Sequence, residues 1–175
     1  TVQLGAMAAA TAYAAAVKSV RGLLLRHNRF LNPGHLSGGS FEGLRLEDAR
    51  QTSVFFNDVH STGTGLTNAY LVRILSGAAD TRLSGNILSS SITVTGSSAT
   101  LSVDAASQAG FTSDFNDFFS SNSALGFEWG GVVAQGLAGW RAASGRDVSS
   151  LSTDPLWADP SSGVGDLHPK STAGR

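Results

Sequence analysis

A short phrase recurs four times along the chain: Leu25-Arg26-His27-Asn28-Arg29-Phe30, Val54-Phe55-Phe56-Asn57-Asp58-Val59, Leu83-Ser84-Gly85-Asn86-Ile87-Leu88 and Asp114-Phe115-Asn116-Asp117-Phe118. Its asparagines lie 29, 29 and 30 residues apart, and two places after each stands an apolar residue: Phe30, Val59, Leu88 or Phe118. A period of this size marks a stack of repeats in which no single unit can bury its apolar face alone. There is a second beat, because Val17, Leu46 and Leu75 each stand eight residues before Leu25, Val54 and Leu83. The runs around this beat, such as 43–47 and 99–104, alternate as strands do and are separated by Gly, Ser, Asp and Asn turns.

Between these strands no helical pattern is long enough for a βαβ crossover. The chain is therefore expected to coil, each turn laying its strands parallel to those of the turn below. Crossovers between parallel strands are right-handed in about 98% of cases. The expected fold class is all-β: a right-handed parallel β-helix solenoid of about five rungs, with a short helix and an extended C-terminal tail. Residues 1–120 would form the rungs, and residues 121–175 a C-terminal loop, short helix and extended capping tail of the same domain.

Asparagine suits the bends of such a coil. It tolerates left-handed backbone geometry and can hydrogen-bond through its side-chain amide. If equivalent bends stack at the strand spacing of ~4.8 Å, each amide can donate to the next. Asn28, Asn57, Asn86 and Asn116 are thus expected to form one ladder.

The remaining features mainly exclude. A net charge of −1 gives no basic field for nucleic acid, and the absence of cysteine removes disulfides and Cys-based metal or redox chemistry. No apolar run is long enough to span a membrane. The Ala-rich stretch 5–17 resembles a helix or the apolar core of a signal peptide, but the chain opens on Thr1 with no Met or basic segment. Residues 14–20 keep the offsets of a rung, and Val2-Gln3-Leu4 fits a strand of the rung before. The chain is therefore expected to continue from further rungs upstream. Residues 32–40 and 61–65 are read as variable loops, and 91–96 as the best-formed extra strand. Val132 to Ala143 is expected to be a short helix stopped by Gly145, with Trp140 and Trp157 packing on the side or end of the solenoid.

The rungs 22–30, 83–88 and 113–118 resemble the pectate-lyase-like β-helix repeat of secreted bacterial proteins. The ending is more specific: Trp140-Arg141-Ala142-Ala143-Ser144-Gly145-Arg146-Asp147, residues 149–160, then 166–175. It is similar to the C-terminal region of large extracellular β-helix proteins, where W-x-x-x-S/T-G-x-D leads to D-P-x-F/W-x-D-P and D-Y/F-H-L-K-S. Pro169 departs from the Leu usual there, which argues against a final strand at that point. The resemblance covers residues 14 to 175. It implies an extracellular or cell-surface setting, with polysaccharide or surface-protein partners. Members include polysaccharide lyases and glycoside hydrolases as well as surface proteins with no known catalysis, and fold alone does not choose between them.

Searching for chemistry leaves the catalytic residues unassigned. A lyase needs a base beside a sugar carboxylate, often with Ca²⁺, and a hydrolase needs converging carboxylates. Arg29 and Asp58 are read as an exposed ion pair, and Arg45, Glu47, Arg73 and Asp104 as outward charges on another face. The four histidines, 27, 35, 60 and 168, lack metal spacing and are expected to be solvated or hydrogen-bonded. Asp114 and Asp117 have the oxygens for Ca²⁺, but a turn-stabilising role comes first, so no cofactor is expected. Phe55, Phe56, Phe115, Phe118 and Phe119 are read mostly as core, with any outward ring a platform for sugar. The functional expectation is a non-catalytic segment that binds carbohydrate or a partner. The alternative is a fragment of a polysaccharide lyase or glycoside hydrolase acting on cell-wall or extracellular polysaccharide.

Overall fold

Each copy of the repeated phrase ends one strand, bends at its asparagine and begins the next. The computed structural model describes residues 2–3, 7–8, 11–33, 36–121, 126–159 and 166–169, which wind through about 4 turns of a parallel β-solenoid. The first turn holds β1 (Val2–Gln3), β2 (Met7–Ala8), β3 (Thr11–Lys18) and β4 (Leu24–Arg26). The second holds β5 (Arg29–Pro33), β6 (Leu36–Ser37), β7 (Ser40–Glu47) and β8 (Ser53–Phe55). The third holds β9 (Asp58–Leu66), β10 (Asn68–Leu75) and β11 (Arg82–Ser84). The fourth holds β12 (Ile87–Val94), β13 (Ser98–Val103) and β14 (Thr112–Asp114). Then β15 (Asp117–Ser120) and β16 (Gly126–Trp129) start another turn, and β17 (Val132–Gln135) folds back antiparallel on β16.

Equivalent strands stack into three sheets: a first of β1-β5-β9-β12-β15, a second of β3-β7-β10-β13-β16-β17 and a third of β4-β8-β11-β14. Successive side chains of a strand point to opposite faces, so each sheet sends every second residue inward. The inward residues form columns along the axis. Phe30, Val59, Leu88 and Phe118 are one such column, buried throughout. Val17, Leu46, Ile74, Val103 and Trp129 are another. Its third member is Ile74, whereas the sequence offset pointed to Leu75. The turn after β10 is one residue longer than the turn after β7, which moves Leu75 to the outer face beside Glu47. Within the Ala-rich opening the described residues 7–8 and 11–17 are strand, with Ala12 paired to Phe41, so a small residue lies against a large one.

At the bend between the third and first sheets the asparagine amides form a column. Asn28 Nδ2 donates to Asn57 Oδ1 at 3.0 Å, Asn57 Nδ2 to Asn86 Oδ1 at 3.1 Å, and Asn86 Nδ2 to Asn116 Oδ1 at 2.9 Å. Each Oδ1 also accepts the backbone N–H of the asparagine below at 3.0 Å. The amides of Asn57 and Asn86 further donate to the carbonyls of Leu25 and Val54 in the preceding turn. The column ends on a carboxylate: Asp147 Oδ1 accepts from Asn116 Nδ2 (3.1 Å), Ser113 Oγ (2.9 Å) and Ser150 Oγ (2.6 Å).

Asp147 also fastens the cap. Its Oδ2 accepts Trp140 Nε1–H at 2.7 Å, which accounts for the seven-residue spacing of the Trp and Asp in the ending. Trp140 is fully buried on the last turn, stacked on Phe127 at 5.3 Å and edge-on to Trp129 at 5.5 Å and Phe111 at 6.4 Å. It belongs to α1 (Gly136–Ser144), which ends at Gly145 with φ 68°. The helix is shorter than the Val132 to Ala143 expected. Val132 to Gln135 is β17, where pairing with β16 satisfies the backbone, and Gly136 at φ 67° breaks the strand.

Two further expectations are corrected. Residues 91–94 continue β12 and do not form a separate strand; the separate short strand is β6 of the second turn, paired with β2. Pro169 does not abolish a terminal strand, since β18 (Trp157–Asp159) and β19 (Asp166–Pro169) pair as an antiparallel hairpin with Pro169 at its end. Trp157 and Leu167 of this hairpin pack on Leu31 and Ile87, the outer side of the first sheet.

Removing a ladder amide strands buried partners on both sides. Asn86→Ala leaves the buried Asn57 N–H without its acceptor and removes the second donor to the Val54 carbonyl, and should cost ~2 to 3 kcal/mol, whereas Asn28→Ala, at the half-exposed end, should cost ~1 kcal/mol or less. Urea unfolding of the two variants checks the ratio; equal costs would remove the ladder from the account of stability.

Candidate functional site

The three outer faces differ in kind. On the second sheet, the outward charges are bound to one another. Glu42, 4% exposed, accepts from Arg45 Nη1 at 3.0 Å and from Arg73 Nη1 at 2.7 Å. Arg45 also reaches Glu47 at 2.9 Å, and Lys18 reaches it at 2.8 Å, so hydrogen bonds from Lys18 and then Arg45 hold Glu47 below the usual carboxylate range. The guanidiniums of Arg45 and Arg73 lie over Tyr13 at 5.8 Å and Tyr70 at 4.4 Å. Charges from three turns do converge here, as an enzyme would require. Yet Glu42 and Glu47 are neutralised by cations, and Glu128 accepts the Ser102 hydroxyl at 2.8 Å.

On the first sheet, Arg29, Asp58, Ile87 and Asp117 form an outward row. Arg29 Nε lies 3.6 Å from Asp58 Oδ2, and Asp58 is half-buried rather than exposed. Burial pushes the Asp58 carboxyl up, and Arg29 pulls it back only in part. Ile87 interrupts the row, leaving Asp58 and Asp117 two turns, ~10 Å, apart. Asp117 binds the N–H and hydroxyl of Thr153 at 2.9 and 3.0 Å. Asp114 accepts the N–H groups of Phe115 and Ser149 at 3.0 and 2.7 Å, and Asp104 caps a turn through Ser107 N–H at 2.8 Å. These three aspartates are turn formers. Among the described residues no His, Asp or Glu group is arranged to hold a metal ion.

On the third sheet the outer face opens into a cleft. Its outward columns are Leu24, Ser53, Arg82 and Thr112, and Arg26, Phe55, Ser84 and Asp114. The third turn carries small residues, Ser84 and Gly85, where its neighbours carry Phe55, Phe56 and Phe115. The result is a recess of about 410 Å³ walled by Phe55 and Phe115, with Arg82, Asp114 and Arg146 at its rim. A second recess of about 390 Å³, lined by Gln51, Ser53, Asp80 and Gly110, joins it at Arg82. Arg82 is exposed and has no hydrogen-bond or ion-pair partner among the described residues. Arg146 is anchored through its Nε to the Phe111 carbonyl at 3.0 Å.

The corner beside the cleft carries rings in the left-handed region: His27 (φ 55°), Phe56 (φ 55°) and Phe115 (φ 59°), with Gly85 (φ 67°) between the last two. His27 stacks on Phe56 at 5.5 Å, and Phe56 leans over Gly85, where a Cβ would meet the ring at 2.6 Å. Of the five phenylalanines read mostly as core, only Phe118 is fully buried; Phe56 and Phe115 are 59% and 65% exposed. In a solenoid the bend residue points away from the axis, and alternation counted through the bend misses this.

His27 is exposed, His60 is buried with Nδ1 2.7 Å from Ser89 Oγ, and His35 and the side chain of His168 lie outside the described residues. Comparison of the chain with family models, with curated proteins and with solved structures found no match.

Because burial dominates the shift of Asp58, the folded protein binds its proton more tightly than the unfolded chain does. The charge therefore opposes folding at pH 7, and the penalty fades as pH falls through the raised value toward 3.8. Asp58→Asn should raise stability at pH 7 by less than ~1 kcal/mol, and the gain should vanish near pH 4. Denaturation at both pH values checks this, and destabilisation at pH 7 would show that the Arg29 pair outweighs burial.

Proposed function

We propose that this chain is a non-catalytic, carbohydrate-binding segment of an extracellular or cell-surface protein with a right-handed, pectate-lyase-like β-helix. The observation that carries the reading is the cleft on the third sheet, where aromatic walls from neighbouring turns flank an unpaired arginine. Aromatic rings supply apolar area to the C–H face of a sugar, and a few charged and hydroxyl groups fix its orientation. Ser53, Ser84 and Thr112 line the floor and Arg82 stands between the two recesses, so a ring seated in one can be followed by a linked ring in the other. No cofactor is required for such binding.

Catalysis fits the cleft poorly. Of its three carboxylates, Asp147 is buried and taken by Asn116, Ser113, Ser150 and Trp140, while Asp80, before β11, and Asp114, at the end of the neighbouring β14, stand roughly 13 Å apart along the strand direction. A glycosidase pair stands at most ~9.5 Å apart. Asp114 is in addition committed to two N–H groups.

Binding is tested by screening the 175-residue chain on a glycan array and titrating the best ligand by calorimetry. Phe115→Ala and Arg82→Ala should each weaken binding tenfold or more, ~1.4 kcal/mol, with EDTA without effect. Affinity unchanged in both variants, or no glycan bound at all, would overturn the proposal. The same chain should release no reducing or unsaturated ends from the glycan it binds. Release of such ends that Asp80→Asn or Asp114→Asn abolishes would establish an enzyme.

A further inference from the structure

His60 occupies an outward position on β9, yet it is 4% exposed because the C-terminal hairpin lies over this face. Its neighbours in the column are Leu31 below and Ser89 above. His60 Nδ1 is 2.7 Å from Ser89 Oγ, and the same Oγ accepts Trp157 Nε1–H at 3.0 Å. One serine oxygen thus joins the imidazole to the hairpin. The other imidazole nitrogen, Nε2, is buried with no hydrogen-bond partner among the described residues. A neutral ring tolerates that placement. A protonated ring does not, since it must donate from both nitrogens and carry a charge beside Leu31, Trp157 and Leu167.

The charged groups near this seat offer no relief. Asp58, two residues earlier on the same face, is turned to Arg29 at 3.6 Å. Asp154 borders the cavity of about 180 Å³ beside His60, but its Oδ1 accepts the Leu156 N–H at 2.8 Å. Asp117 holds Thr153, and Asp159 and Asp166 of the hairpin have interactions of their own. Among the described residues no carboxylate forms an ion pair with His60.

We propose that His60, Ser89 and Trp157 form an acid-sensitive latch, in which protonation of His60 releases the C-terminal hairpin from the first sheet and uncovers the apolar seat of Leu31 and Ile87. The direction follows from linkage. Burial pulls the imidazole from 6.5 down to about 4 while the latch is closed. A released hairpin returns it to water and to its ordinary value. The closed form is therefore fully favoured above pH 6.5, weakens progressively below it, and changes no further beneath pH 4. Across that window the opening equilibrium rises by at most about 300-fold.

Hydrogen exchange of the hairpin amides, corrected for intrinsic rates and referred to amides of β8 and β11, reads the latch directly. In the wild-type chain, protection of 157–159 and 166–168 should fall between pH 7 and pH 4.5, while the rungs keep theirs. In His60→Gln, which cannot titrate, protection should be independent of pH. Equal protection of the wild-type hairpin at both pH values, or an equal fall in His60→Gln, would overturn the proposal. An imidazole NMR titration of the wild-type chain covers the case in which His60→Gln does not fold. Half-protonation well below pH 6.5, together with loss of hairpin protection, supports the latch. Protonation near 6.5 with the hairpin still protected overturns it, as does opening while His60 stays neutral.

Discussion

The polar bend at each asparagine is the constraint on which the solenoid depends. A coil of this kind must turn sharply once per rung between the third and first sheets, and at that point backbone groups leave the sheet ladders while remaining buried. Left without partners they would cost about as much as the neighbouring core residues gain. The amide column answers this by accepting the N–H of the asparagine below and donating to carbonyls of the same and the preceding turn. An amide column has direction, and a directional column needs an end. Asp147 supplies it, because a carboxylate only accepts and can take Asn116, Ser113, Ser150 and Trp140 together. The polar ladder and the apolar cap therefore close at one residue.

The same register that stacks the core also shapes the surface. Since each outward position lies one turn from its equivalents, a small residue in one rung is flanked by whatever its neighbours carry. Ser84 and Gly85 between Phe55, Phe56, Asp114 and Phe115 make the cleft by subtraction. Gly85 meets two demands, a φ of 67° and the closeness of the Phe56 ring. On the second sheet the equivalent positions are filled by Glu42, Arg45 and Arg73, so the face is closed by ion pairs instead of opened. One architecture thus yields a recess or a sealed salt network according to side-chain volume alone.

Period and strand pattern were legible in the sequence because they are local and repeated: the 29-residue spacing, the apolar residue two places after each Asn, and the strand from Ala14 onward all appear in the structure. What was not legible depends on loop length and on distant contacts. One extra residue after β10 shifted Leu75 outward. The strand Val132 to Gln135 looked helical because its spacing of apolar residues suits both states, and only the edge of β16 decides between them. The cleft could be suspected from the third copy of the phrase, where Ser-Gly replaces Phe-Phe, but its roof of Arg146 and Val148 comes from a segment more than sixty residues further on. His60 gave no signal at all. Nothing near it in sequence reveals that Trp157 will lie above it.

Placement of the tail follows from the same accounting of faces. The last turn would expose Phe127, Trp129 and Phe111, and α1 removes that surface with Trp140. The first sheet would expose Ile87 on its charged row and Leu31 in the column of His60 and Ser89, and β18 and β19 cover these with Trp157 and Leu167. Among the described residues the third sheet receives only the partial roof of Arg146 and Val148. Leu24 on this sheet and Phe56 and Phe115 at its corner remain exposed, although two tryptophans bury apolar residues elsewhere. Large apolar side chains held on a surface mark a place where something binds, and Phe56 and Phe115 stand beside the cleft.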